Sequence, residues 1–359
     1  MNKETLADTT ARVALWPYCN LFCNYCGGSS YRNDAFPAAM EDFRKAPMHE
    51  GNLSSDDLLT ILRQLHEQGG MTKMRGTGGE PLLRHDWDKI ITEISEMGYK
   101  EVDITTNGIL LTTYLEKNGG LPKGLNVLKV SLDTCDPDSF REITGGGDLH
   151  KVLEGIRASS QLIYTRINRV LLRSEMTPSE MERFIDFCQG LGVKQVQYLD
   201  LVHYPNLDRS DKSFWEREFV AYPEFQTTVT QLYPKANFHT TRDQFGVAFH
   251  RALLPNGLVL SFKDSRYTMR DSECWDCPIF CQEGRCLVRV ATDGNITLCP
   301  DYQGELPSFN ARQALQDHSF QDRVQELQTI IERSEKVRTI ELFTHKHNLE
   351  LPAIHQYEN

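Results

Sequence analysis

The sequence predicts an α/β fold: a partial (β/α)6 barrel followed by a smaller C-terminal auxiliary domain. Three observations carry that prediction. Residues 11–200 alternate apolar, strand-like runs with amphipathic helical stretches, the pattern of a parallel sheet wrapped by helices. The alternation completes six units, which with right-handed crossovers make an open barrel rather than a closed eight-fold one. Eight of ten cysteines form two groups, 19/23/26 after the first strand and 274/277/281/286/299 beyond the sixth.

Taken in order, a strand near 11–16 enters the loop Cys19-Asn20-Leu21-Phe22-Cys23-Asn24-Tyr25-Cys26. Residues 29–52 hold Pro37 and Pro47 and no clear period. Ser54 or Ser55 reads as the N-cap of a helix, with Asp56 and Asp57 in its first turn, that reaches Gln68 before Gly69-Gly70. Strand 71–76 ends in Thr77-Gly78-Gly79-Glu80-Pro81, a helix runs to about Met97, and strand 101–105 ends in Thr106-Asn107-Gly108. Helix 110–117, strand 125–131, a helical stretch 137–161 broken near Gly145-Gly146-Gly147, strand 163–172, helix 178–190 and strand 193–199 follow. Residues 201–245 read as a partly helical connection, and 246–262 as a hairpin around Pro255-Asn256-Gly257. Past the second cysteine group another hairpin turns at Asp293-Gly294, and Leu315, Phe320, Val324, Leu327 and Ile331 mark an amphipathic helix. The expected divisions are a barrel over 1–205, a linker over 206–245, an auxiliary domain over 246–310, and a helix with tail over 311–359.

A formal net charge of −11 argues against general nucleic-acid binding and against an anionic membrane surface. No apolar run approaches a membrane span, and Met1-Asn2-Lys3-Glu4 begins no signal peptide, so a cytoplasmic location is expected. Disulfides are rare there, so clustered cysteines point to metal. Cys135 and Cys188 read as small buried hydrophobes.

Three thiolates in a CxxxCxxC spacing can hold three corners of a [4Fe–4S] cube and leave the fourth iron open to a chelating small molecule. Structural zinc is the alternative, and it needs a fourth ligand that no His or Cys close behind Cys26 supplies. Glycines in the turn Gly78-Gly79-Glu80-Pro81 would let a ligand approach the backbone closely. A plain βα turn is the alternative there, as an Asn-Gly turn and a strand-end serine are for Asn107 and Ser131.

Together the cysteine loop and this turn resemble the radical S-adenosylmethionine (SAM) enzymes. The resemblance implies a cluster on Cys19, Cys23 and Cys26, and SAM contacted by Tyr25, Gly78, Gly79, Glu80, Pro81, Asn107 and Ser131. Arg75 to Leu83, Thr105 to Leu111, Val130 to Thr134, Ile143-Thr144-Gly145 and Val152 to Ile156 look like the GTP 3′,8-cyclase family of molybdenum-cofactor synthesis. That likeness implies reductive cleavage of SAM to a 5′-deoxyadenosyl radical, which takes hydrogen from a nucleotide, nucleoside or sugar-like small molecule. It also implies a cellular electron donor such as flavodoxin or ferredoxin.

By the same resemblance Arg12, Arg166, Asn168 and Arg289 contact substrate, with salt bridging the alternative for Arg12 and Arg166. The family's Arg-Phe-Ile-Glu is replaced by Gln195-Val196-Gln197-Tyr198, and its final Gly-Gly by Gln356-Tyr357-Glu358-Asn359. An activity related to the cyclase but distinct from it is therefore expected. The second cysteine group resembles the auxiliary [4Fe–4S] site of twitch and SPASM domains. Cys299 would be the hairpin ligand, Cys281 and Cys286 the close pair, and Cys274 and Cys277 either surplus or completing the set. Zinc is the alternative for this group as well. A peptide-modifying radical SAM maturase and a non-catalytic metal-stabilised binding protein are the competing functional readings.

Overall fold

The computed structural model describes residues 9–23, 51–202, 212–242, 247–264, 267–270, 287–299 and 308–338. Six parallel strands stand side by side in chain order: β1 (Thr10–Trp16), β2 (Lys73–Gly78), β3 (Glu101–Thr106), β4 (Val127–Ser131), β5 (Tyr164–Val170) and β6 (Gln195–Leu199). Between them the chain returns through α1 (Ser55–Gly69), α2 (Trp87–Glu96), α3 (Leu111–Asn118), α4 (Pro137–Thr144), α5 (Leu149–Ser160) and α6 (Pro178–Gly190).

Local chemistry sets the helix boundaries. The Ser54 hydroxyl accepts from the Asp57 amide at 3.1 Å, and Gly70 closes α1 in the left-handed region at φ 72°. Asp136 and Thr177 cap α4 and α6 in the same way, each ahead of a proline in the first turn.

Strand alternation then divides the sheet into two faces. Ala11, Val13 and Leu15, with Met74, Val102, Ile104, Leu128, Val130, Ile167, Val196 and Tyr198, are buried in one continuous core with the helices. The intervening positions form the opposite, concave wall, and these are largely charged or polar.

The rest of the chain extends this sheet at both edges. After α7 (Lys212–Glu218) and α8 (Tyr222–Leu232), the strands β7 (Phe238–Arg242), β8 (Ala248–Leu253) and β9 (Val259–Asp264) form an antiparallel ladder, and β9 pairs in parallel with β6. At the other edge β11 (Leu287–Val290) pairs in parallel with β1, and β12 (Asn295–Thr297) and β13 (Ser308–Asn310) continue outward antiparallel. A separate two-stranded ladder joins β10 (Tyr267–Arg270) to β14 (Glu335–Arg338), and α9 (Ala311–Gln316) and α10 (Phe320–Arg333) lie between β13 and β14.

The structure departs from the sequence reading in three places. The second strand is Lys73–Gly78, because β1 keeps pairing with it past an irregularity between Ala14 and Trp16. β7 falls within the expected connection; its four mostly exposed residues after Phe238 give it no apolar alternation to read. The helix expected from Leu315 to Ile331 is two helices, broken where His318 takes a left-handed φ of 59°. Among the described residues, no helix is long and apolar enough to cross a membrane.

Candidate active site on the strand ends and concave wall

Cys19 and Cys23 lie just beyond the C-terminal end of β1, on a loop held by two glycine turns. On one side the Gly79 amide donates to Trp16 O at 2.7 Å and the Glu80 amide to Tyr18 O at 2.6 Å. A Cβ at Gly79 would stand 1.9 Å from Tyr18 O, so only glycine permits this approach. On the other side the Phe22 amide donates to Thr144 O at 2.9 Å, and Gly145, at φ 67°, would set a Cβ 2.8 Å from the Phe22 Cβ.

Glu80 ties the turn after β2 to the one after β3. Its carboxylate, 1% exposed, accepts from the Thr106 hydroxyl at 2.6 Å, the Asn107 amide at 2.8 Å and the Leu82 amide at 3.1 Å. Burial lifts the Glu80 carboxyl to about 7, while those donors pull it down. The Asn107 side chain, thus positioned, donates to Asn20 Oδ1 at 2.7 Å and reaches Cys19 Sγ at 3.6 Å. Pro81 begins a one-turn 3-10 helix, Pro81–Leu83. Behind it Arg84 donates to Leu15 O at 3.1 Å and to the Ser55 hydroxyl at 2.9 Å, joining β1, α1 and this turn.

These residues fit an iron–sulfur cluster. Two soft thiol ligands share a loop seated on a glycine cradle, and an amide N–H lies against one of the sulfurs, the kind of contact that tunes such clusters. Tyr25 and Cys26 lie outside the described residues, as do Cys274, Cys277, Cys281 and Cys286.

The concave wall runs below this rim. Register places Arg289 beside Arg12, Arg12 beside Arg75, and Arg75 beside Asp103. Further along, Lys129 pairs with Arg166 and Arg166 with Gln195, one strand spacing of about 4.8 Å at a time. Ser131, at the end of β4, stands beside Asn168, whose Oδ1 accepts from Arg166 Nε at 3.1 Å. Lys129 is buried and ion-paired with Asp103, which also lies 3.7 Å from Arg75. Burial depresses the Lys129 ammonium to about 7 against the pull of Asp103, and the charges of Arg75 and Arg166 depress it further.

Cys299 follows β12, which runs antiparallel to β11 and hence to β1. It therefore lies toward the opposite end of the barrel from Cys19, with the row Arg289–Arg12–Arg75 between the two levels. Its amide donates to the Thr297 hydroxyl at 3.2 Å.

Sequence reasoning did not single out Arg75, Asp103 or Lys129 as site residues. The available signal was parity: each is a charged residue near the middle of a strand whose neighbours on either side are buried.

Comparisons with known proteins point the same way. Residues 13–188 match the model of the radical SAM superfamily. Over 181 residues the chain is 34% identical to a probable GTP 3′,8-cyclase of Methanococcus maripaludis, a match covering 50% of this chain and 55% of that protein. It is 28% identical over 294 residues to a probable GTP 3′,8-cyclase of Saccharolobus solfataricus, covering 80% of this chain and 81% of that one. The chain thus spans about half the length of the first of these relatives. A crystal structure of Streptococcus suis SuiB bound to S-adenosylmethionine shares the fold, with a TM-score of 0.58 over 85% of this chain and 63% of that one at 17% identity.

Proposed function

We infer that this chain, whose residues 13–188 form a domain of the radical SAM superfamily and are related to the GTP 3′,8-cyclases, is a radical enzyme for a small anionic substrate. The substrate class is a nucleotide, nucleoside or sugar-like molecule. The observation that carries this reading is the concave wall: Arg12, Arg75, Arg166 and Arg289 gather beneath the cysteine loop, beside the paired Lys129 and Asp103, in a protein of net charge −11. Guanidinium forks favour phosphate or carboxylate, and clefts of one sign concentrate the opposite charge.

Cys19 and Cys23, with Cys26, would hold a [4Fe–4S] cluster, and SAM bound to it supplies a carbon-centred radical for hydrogen abstraction. The chain's own residues do the positioning. Glu80 locks two strand ends together, Asn107 is held against Cys19, and Gly78 and Gly79 keep the loop close to the sheet. Ser131 and Asn168 line the wall between the rim and the cations, where they would orient the substrate below the cofactor.

Cys299 would ligate an auxiliary cluster, together with cysteines from the 274–286 stretch. A cellular electron donor of the flavodoxin or ferredoxin kind would reduce the enzyme.

Arg166→Ala tests the substrate reading. It should weaken binding of a nucleoside monophosphate about tenfold or more, the worth of a charge-assisted hydrogen bond, and leave substrate-free SAM cleavage unchanged. Unaltered affinity would remove the wall from the substrate site.

A further inference from the structure

The concave wall changes character at β6. From β11 to β5 its rows carry cations; amides and a hydroxyl interrupt them at β6 and Ser261 of β9, before Arg251 of β8 and Lys263 of β9 bring charge back. Gln195 stands beside Arg166, Gln197 beside Asn168, and Ser261 of β9 beside Gln197. These three side chains are 7%, 5% and 0% exposed, yet Gln195 Nε2, Gln197 Oε1 and Ser261 Oγ have no hydrogen-bond partner.

Buried polar atoms in native proteins are nearly always paired, so three neighbouring exceptions call for a cause. A purely structural role does not supply one. Gln197 and Ser261 are adjacent in register but do not bond to each other, and both lie on the face opposite the helix-packed core of Val196 and Tyr198. Gln195 Oε1 accepts from the Tyr164 hydroxyl at 2.9 Å, which leaves its Nε2 open. Its open atom is therefore a donor, the open atom of Gln197 is an acceptor, and the Ser261 hydroxyl can serve as either.

We propose that Gln195, Gln197 and Ser261 form a neutral subsite for an uncharged amide-type edge of the substrate, a lactam or carboxamide. The edge offers an acceptor to Gln195 Nε2 and a donor to Gln197 Oε1, while the anionic end of the molecule rests on Arg166 and the cations beyond it. This rests on the reading of the wall as a substrate site, and it narrows the substrate to a molecule with both an anion and such an edge. An anion alone would leave the three buried groups unmet, so it binds less well.

The test is calorimetric binding to the anaerobically iron-reconstituted protein of three probes: inosine 5′-monophosphate, ribose 5-phosphate and pyrophosphate. Inosine 5′-monophosphate, which carries phosphate and lactam, is expected to bind at least tenfold tighter than ribose 5-phosphate. Gln197→Leu and Ser261→Ala are expected to erase that margin, to leave ribose 5-phosphate and pyrophosphate affinities unchanged, and to raise the melting temperature by removing unmet polar atoms. Equal wild-type affinity for inosine 5′-monophosphate and ribose 5-phosphate overturns the subsite and leaves the anion site standing. A lowered melting temperature with the margin intact in the variants assigns these side chains to structure and also overturns it. Failure of all three probes to bind overturns the reading of the wall on which the subsite rests.

Discussion

Removing the Glu80 side chain would leave the Thr106 hydroxyl and the Asn107 and Leu82 amides without their acceptor in a site closed to water. Glu80→Ala should therefore cost about 2–4 kcal/mol of stability in a denaturant titration, and Glu80→Gln, which keeps one acceptor oxygen, distinctly less. Equal losses would mean that the carboxylate is not the brace described. Lys129 gives a pH signature instead. Its folded-state value near 7 lies below its ordinary 10.5, so its contribution is fully present above about 10.5 and is lost as pH falls to 7. The stability difference between wild type and Lys129→Met should change across that interval and be flat below it. A difference curve that is flat from 7 to 10.5 would show that the amine keeps its proton in the folded protein.

Among the elements, the loop after β1 is the one most constrained by its neighbours. A methyl at Gly79 would overlap Tyr18 O, so Gly79→Ala should push the cysteine loop off the sheet. Iron uptake on reconstitution should fall well below that of wild type, while helical circular dichroism stays near the wild-type value. Full iron loading in Gly79→Ala would contradict the cradle.

The same elements show what a sequence discloses. The helix expected over 178–190 is α6, Pro178–Gly190, because Thr177 and Pro178 supply a cap and a first turn that act locally. β7 was illegible because it is an outer strand with no buried row, made by pairing with β8 rather than by its own pattern. The break at His318 left one trace, a five-residue step from Leu315 to Phe320 where the later apolar steps are three or four, too slight a signal beside the regular run to Ile331.

At the scale of the molecule, one sheet carries the rim that would hold the cofactor, the cationic wall and the second cysteine level. The motifs at the strand ends could be read from sequence because turns and thiols announce themselves. The wall could be read only in part: the family resemblance picks out Arg12, Arg166 and Arg289, whereas Arg75, Asp103 and Lys129 join them only through register. Two-ended architecture makes a separable prediction. Cys299→Ala should lose the second cluster's absorption and keep slow SAM cleavage, and retention of both clusters would exclude Cys299 as a ligand.

The central claim, a radical SAM centre on the loop after β1, has a direct measurement. Protein reconstituted anaerobically is incubated with SAM and dithionite, and 5′-deoxyadenosine is quantified by chromatography against the Cys19→Ala/Cys23→Ala/Cys26→Ala variant. The wild type should form 5′-deoxyadenosine slowly, and the variant should form none and lose about four irons per chain. Intact SAM in the wild-type reaction, with zinc rather than iron bound to the protein, would contradict the claim.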